Sequence, residues 1–140
     1  MNSQYETINF EVVEKIAIIR LNRPNSYNSL NAKMAKELLE ISYECDTNKK
    51  IRAIILTGEG EKAFCAGGDL KSFYEAGNIG KHLKMVTHDL HGAITKFSRM
   101  NAPLIVAING VAAGAGLSFV GFADLAIAKS SATFVSAYSK

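Results

Sequence analysis

At 140 residues, with 48% apolar and 21% charged positions, the chain has the composition of one globular domain with enough apolar mass to bury a core. Its formal charge of +3 comes from Lys and Arg scattered among Asp and Glu, without the basic stripe on which nucleic-acid binding rests. Cys45, Cys65, His82, His88 and His91 show no metal-ligand spacing, which points away from a metal site, and so few cysteines suit a reducing, cytoplasmic setting.

The start, MNSQYETINFEVVEK, lacks the basic and apolar regions of a signal peptide. Ile8, Phe10 and Val12 alternate with polar residues, Glu14-Lys15 turns the chain, and IAIIRL follows, which predicts a two-stranded hairpin. NRPNSYNSLN reads as a polar loop. Asn31 is placed to cap a helix running to about Asp46, with Met34, Leu38, Leu39 and Ile41 along one side. IRAIILTG predicts a short buried strand and GEGEKAFCAGGD a loop, with Asp69 as cap of a helix that begins LKSFYEAG. A longer helix is expected over 79–100, broken by Asn101-Ala102-Pro103. Then come a buried strand LIVAI, a loop NGVAAGAG, a helix GLSFVGFA and a third buried strand DLAIA. The run from Leu104 to Ala128 is long enough to span a membrane and contains a GxxxG at Gly110 and Gly114. Asn109, Asp124 and the clustered glycines argue against a span. ATFVSAYSK opens a fresh element with no stop signal, so the sequence reads as cut rather than finished.

Apolar strands alternating with helices imply a parallel sheet covered by helices. IRAIILTG leading to GGDL, and LIVAING leading to AGAGL, are built alike. Each sets a small-residue loop beyond the carboxyl end of a strand, where ligands of open α/β sheets gather. Nucleotide cradling finds no support: Phe119 stands where GxGxxG needs its third glycine, and no GxxxxGK[ST] is present. Two readings stay open. The loops could be tight strand-to-helix turns, which spacing alone favours. Alternatively, each could offer one backbone N–H to a single thioester oxygen, forming an oxyanion hole aided by the helix N-termini.

NRP at 22–24, FCAGGDL at 64–70 and APLIVAINGVAAGAGLSFVGFADLAIA at 102–128 resemble the enoyl-CoA hydratase/isomerase family, the crotonase superfamily, in the right order over nearly the whole chain. The resemblance implies an α/β fold, a crotonase/ClpP-like spiral of ββα units truncated before its C-terminal helical region. Residues 1–140 would be the N-terminal part of one such domain, assembled as a homotrimer or hexamer when full length. It implies an acyl-CoA thioester as substrate, coenzyme A entering only as part of that substrate, no permanent cofactor, and neither nucleic acid nor membrane as partner. Carried over by position, the oxyanion amides are those of Gly68 and Ala115. Relatives often have glycine at the second place, and alanine would be strained there if the site needs φ > 0. Ala66, Gly67, Gly68, Asp69 and Leu70 would line the pantetheine and adenine side. Asn25, Ser26 and Tyr27 would shape the CoA entrance, where some relatives have a phosphate-meeting lysine in place of Asn25.

The two glutamates of the family's hydratases fall on Ser118 and Tyr138, neither of which is a carboxylate, so two-glutamate hydration is disfavoured. FVSAYSK is similar to relatives that shift a double bond with one aspartate, whose place near 146 lies beyond Lys140. Isomerase-type proton transfer is therefore the expected chemistry, with a non-catalytic acyl-CoA-binding or assembly subunit as the rival reading. A hydrolase or dehalogenase also stays open. Asp69 suits a helix cap better than a base, Asp124 suits a structural hydrogen bond, and Cys65 has no activating histidine in register. Tyr138 could donate a hydrogen bond in a pocket, although packing is the plainer role for it. Phe73, Tyr74 and Met85 are candidate walls of an apolar acyl pocket and equally candidates for core.

Overall fold

The computed structural model describes residues 4–137. β1 (Ile8–Val13) and β2 (Ile16–Leu21) form the expected antiparallel hairpin, with Val13 opposite Ile16. A single 3-10 turn at Pro24–Ser26 leads to α1 (Ala32–Thr47). Asn31 starts this helix as expected: its side chain accepts from the Met34 N–H at 2.9 Å, satisfying a donor that the first turn leaves orphaned.

Three further turns then repeat one plan. β3 (Ala53–Gly58), β4 (Ala63–Cys65), α2 (Leu70–Glu75) and α3 (Ile79–Arg99) make the first. β5 (Leu104–Ile108), β6 (Val111–Ala113) and α4 (Ala115–Phe122) make the second, and β7 (Leu125–Ala128) with β8 (Phe134–Val135) begins the third. In each, the first strand joins a large sheet of order β1-β2-β3-β5-β7, and the second joins a small sheet of order β4-β6-β8. All pairings after the hairpin are parallel. This is the expected spiral of ββα units.

The core lies between the large sheet and the helix pair α1 and α3. Ile54, Leu56, Leu104, Val106 and Ile108 are buried in one cluster with Met34, Leu38 and Ile41 of α1 and Val86, Leu90, Ala93 and Phe97 of α3. Each of these side chains larger than alanine contributes about 1.5–3 kcal/mol relative to exposure. β3 and β5 bury alternate residues, so they are less fully enclosed than their continuous apolar runs suggested.

Two expectations need correction. The stretches read wholly as loops, GEGEKAFCAGGD and NGVAAGAG, contain β4 and β6. Three residues are too few to display a period of two. DLAIA does form a strand, but every residue of β7 is exposed, with Leu125 at 61% and Ile127 at 65%. β7 is the last strand of the large sheet, and β5 is its neighbour there. Among the described residues no helix is long and apolar enough to cross a membrane; the run Leu104–Ala128 divides into β5, β6, α4 and β7.

Candidate functional site

The small residues of the two loops let backbone touch backbone. Gly67 has φ +102° and Gly114 has φ +51°, conformations that disfavour L side chains. A Cβ built on either glycine would lie 3.6 Å from the other's Cα, and one on Gly67 would also lie 3.1 Å from the Ala113 carbonyl oxygen. The first turn of α4 rests on β4 with even less room, since a Cβ on Gly116 would fall 2.1 Å from the Cys65 carbonyl oxygen. FCAGGDL and AGAGL are thus turns, and they are also two faces of one junction.

The segment Ala66–Asp69 runs beside Tyr27–Leu30 as a short parallel ladder. The Ala66 N–H donates to Tyr27 O at 3.0 Å, Leu30 N–H to Gly67 O at 2.7 Å, and Asp69 N–H to Leu30 O at 2.9 Å. The Gly67 carbonyl accepts from the Leu30 N–H, and across a planar trans peptide the next N–H points the opposite way, which turns the Gly68 N–H away from the Tyr27–Leu30 strip. Neither the Gly68 nor the Ala115 N–H has an acceptor among the described residues, and both residues are half-buried. Ala115 is the first residue of α4 and lies outside the positive-φ region. Gly114 absorbs the unusual conformation instead, so alanine at 115 is unstrained.

Asp69 is occupied. One carboxylate oxygen caps α2 by accepting from the Ser72 N–H at 3.2 Å, and the other pairs with Arg23 at 2.8 Å. Partial burial pushes its pKa up, but the Ser72 hydrogen bond and the Arg23 guanidinium outweigh this and hold the carboxyl below its ordinary value. Leu70 is exposed. Asp124 has the structural role expected of it, accepting from the Leu104 N–H at 2.7 Å. Ser118 is exposed on α4 with its hydroxyl 3.5 Å from Gly114 O, and Tyr138 lies outside the described residues. Burial raises the Cys65 thiol to about 11, which leaves it a poor nucleophile at neutral pH.

Phe73 is buried, and its ring covers the Cα of Gly68, within 2.7 Å of where a Cβ would stand; it therefore borders the junction. Tyr74 and Met85, the other candidate walls, are 73% and 60% exposed. Met85 lines a separate cavity of about 620 Å³ along α3, to which neither glycine loop contributes. Asn25 and Tyr27 are exposed, with Ser26 half-buried between them. Asn25 lines a cleft of about 190 Å³ with Glu59, Glu61 and Lys62, a charge balance that offers phosphate little attraction. His82 packs against Phe73, whereas His88 and His91 are exposed on α3. Among the described residues no three His, Cys, Asp or Glu side chains gather to hold a metal ion.

Three residues of the site lie in stretches already singled out, yet motif spacing assigned them no role. Arg23 reaches both Ser29 O, at 2.7 Å, and Asp69. Asn28, fully buried at φ +53°, donates to Glu59 O and Ala63 O, each at 3.0 Å, and accepts from the Arg23 N–H at 2.9 Å. Asn109 donates to Gly60 O at 2.7 Å and to the same Ala63 O at 3.2 Å, and accepts from the Gly58 N–H at 3.1 Å. The two asparagines fasten the start of β4, the strand that delivers Gly67 and Gly68. The available clue was Asn109 itself, a polar side chain inside the apolar run LIVAINGVAA that had to find partners.

Residues 11–140 match the family described as enoyl-CoA hydratase/isomerase. The chain is 40% identical over 126 residues to the putative enoyl-CoA hydratase/isomerase YngF of Bacillus subtilis, covering 85% of this chain and 45% of that protein. It is 35% identical over 133 residues to 4-chlorobenzoyl coenzyme A dehalogenase-2 of an Arthrobacter species, covering 94% and 48%. The crystal structure of enoyl-CoA hydratase from Bacillus anthracis superposes with a TM-score of 0.85 at 32% identity, over 93% of this chain and 50% of that one. The chain spans about half the length of the curated relatives it matches. On the match and the ββα spiral together, the chain belongs to the enoyl-CoA hydratase/isomerase family, and its fold is crotonase-like.

Proposed function

We propose that the chain forms the N-terminal part of a single crotonase-like domain that binds an acyl-CoA thioester and stabilises its enolate between the N–H groups of Gly68 and Ala115. The observation that carries this reading is a pair of N–H groups, on half-buried residues of two loops in backbone contact, that find no acceptor among the described residues. The enolate carries most of its charge on the thioester oxygen. Fixed donors there stabilise the enolate more than the ground state, which lowers the barrier to removing an α-proton. The Ala115 N–H also belongs to the first turn of α4, whose partial positive charge contributes about 0.3–1 kcal/mol. Ala66, Gly67, Asp69 and Leu70 would border the pantetheine, with Asn25, Ser26 and Tyr27 at the entrance. Isomerase-type proton transfer fits better than two-glutamate hydration because Ser118 and Tyr138 stand where the glutamates would be. The full domain would assemble as a trimer or a pair of trimers.

The test has two parts. A chromophoric aryl-acrylyl-CoA, whose absorbance moves to the red when its carbonyl is polarised, reports the oxyanion hole without any proton transfer. The wild-type chain is expected to shift it and Gly68→Pro, which deletes one donor, to lose most of the shift. A folded Gly68→Pro protein with the full shift overturns the assignment. Deuterium uptake from heavy water at the α-carbon of a short acyl-CoA then separates an enzyme from a binding subunit, since a binder exchanges nothing. Loss of one such donor lowers the exchange rate by roughly 10²–10³-fold. Rapid hydration of a short enoyl-CoA would eliminate the isomerase preference.

A further inference from the structure

The direction of the Gly68 N–H depends on how Ala66–Asp69 lies against Tyr27–Leu30, and three main-chain hydrogen bonds alone are a thin fastening for an irregular loop. Arg23 ties the two together from one side. Its Nη1 donates to Ser29 O at 2.7 Å, inside the first strip, and its Nη2 donates to Asp69 Oδ2 at 2.8 Å, at the end of the second. The pair is largely shielded, with Arg23 and Asp69 side chains only 21% and 15% exposed. Arg23 is itself held at both ends of its main chain: its N–H donates to Asn28 Oδ1 at 2.9 Å and its carbonyl accepts from the Asn28 N–H at 2.9 Å. The planar fork of a guanidinium can serve both acceptors at fixed separation, which a lysine ammonium on a flexible stem cannot.

We infer that Arg23 is a positioning residue, holding Asp69 against the Tyr27–Leu30 strip so that the Gly68 N–H keeps its aim at the thioester oxygen. The aim towards a thioester rests on the oxyanion-hole reading; the fastening does not. Arg23 touches no reacting atom in this scheme and acts through Asp69.

The experiment compares wild type, Arg23→Gln and Arg23→Lys in two measurements. Amide hydrogen exchange, followed by NMR in the unliganded full chain, reads the ladder through the Leu30 and Asp69 N–H groups. Arg23→Gln is expected to speed both by roughly tenfold or more while the amides of β2 and β3 keep their rates, and Arg23→Lys to fall between. Unchanged rates at Leu30 and Asp69, or an equal rise in β2 and β3, overturn the inference, the second because it marks a general loss of stability. Titration with the aryl-acrylyl-CoA probe reads the aim. Arg23→Gln is expected to bind it within about threefold of wild type yet lose most of the red shift, a split between binding and polarisation. A full red shift in Arg23→Gln overturns the inference. If wild type itself gives no shift while the exchange result holds, the oxyanion-hole reading fails and the Arg23 fastening stands.

Discussion

Gly116→Ala tests whether the close seating of α4 on β4 holds the two loops together. The added methyl carbon would fall 2.1 Å from the Cys65 carbonyl oxygen, 2.9 Å from its carbonyl carbon and 3.0 Å from its Cβ. These are main-chain or near-main-chain atoms of a buried strand, so no side-chain rotation relieves the overlap. Opening the first contact to ordinary van der Waals range moves α4 away from β4 by at least ~1 Å. Overpacking of this kind costs about 1–3 kcal/mol, and near the middle of that range the melting temperature falls by roughly 5–10 °C. A ~1 Å displacement of one oxyanion donor costs up to about 10²-fold in the rate of any enolisation the site supports. Gly121→Ala is the matched control in the same helix, because nothing lies within 4 Å of its added methyl. Its better helix propensity should leave the protein as stable or more stable by about 0.5–1 kcal/mol. Urea unfolding followed by circular dichroism, together with the probe's red shift, checks both variants. Equal unfolding midpoints and red shifts for Gly116→Ala and Gly121→Ala would refute the account of the α4–β4 contact.

Cys65 and Cys45, raised by burial to about 11 and about 12, should react with iodoacetamide at pH 8 far more slowly in the native protein than in urea; native rates matching the denatured ones would contradict their burial. Because the folded-state pKa of Asp69 lies below its ordinary 3.8, the stabilisation is present above that value and is lost as pH falls through the lower, folded one. The stability gap between wild type and Asp69→Asn should therefore be full at pH 6–7 and close below about pH 4, as urea midpoints across that range would show. Asn31→Ala removes the α1 cap and should cost about 1 kcal/mol, with Asn31→Asp recovering most of it in the same unfolding assay.

The larger elements were legible because their signals are local. The hairpin showed in the alternation of Ile8, Phe10 and Val12. The helix starts at Asn31 and Asp69 showed because a short polar side chain ahead of an apolar run has one obvious use. What stayed hidden depends on partners far away in the chain. β4 and β6 exist because they pair with one another across the small sheet, and neither AFC nor VAA announces that alone. DLAIA looked buried from its composition, but a strand's burial is set by what packs on it, and β7 keeps both faces exposed. Small residues at Gly67, Gly68 and Gly114–Gly116 marked the junction that carries the candidate site. The side chains that fasten it, Arg23, Asn28 and Asn109, reach across separations of 31 to 52 positions in all their longer contacts, which no window of sequence displays.

The position of Asn109 also bears on how the protein ages. An asparagine followed by glycine deamidates readily, because the next main-chain nitrogen can swing round and attack the side-chain amide. Here that swing is blocked at both ends. The Asn109 amide is held by Gly60 O, Ala63 O and the Gly58 N–H, and Gly110 is wedged so tightly that even a methyl group would stand 2.5 Å from Lys62 O. Folded molecules are protected, and unfolded ones lose both restraints. An aspartate formed there would turn a negative oxygen towards two carbonyls in place of a donor, loosening the start of β4 on refolding. Charge heterogeneity at this one residue would thus accumulate as a record of time spent unfolded.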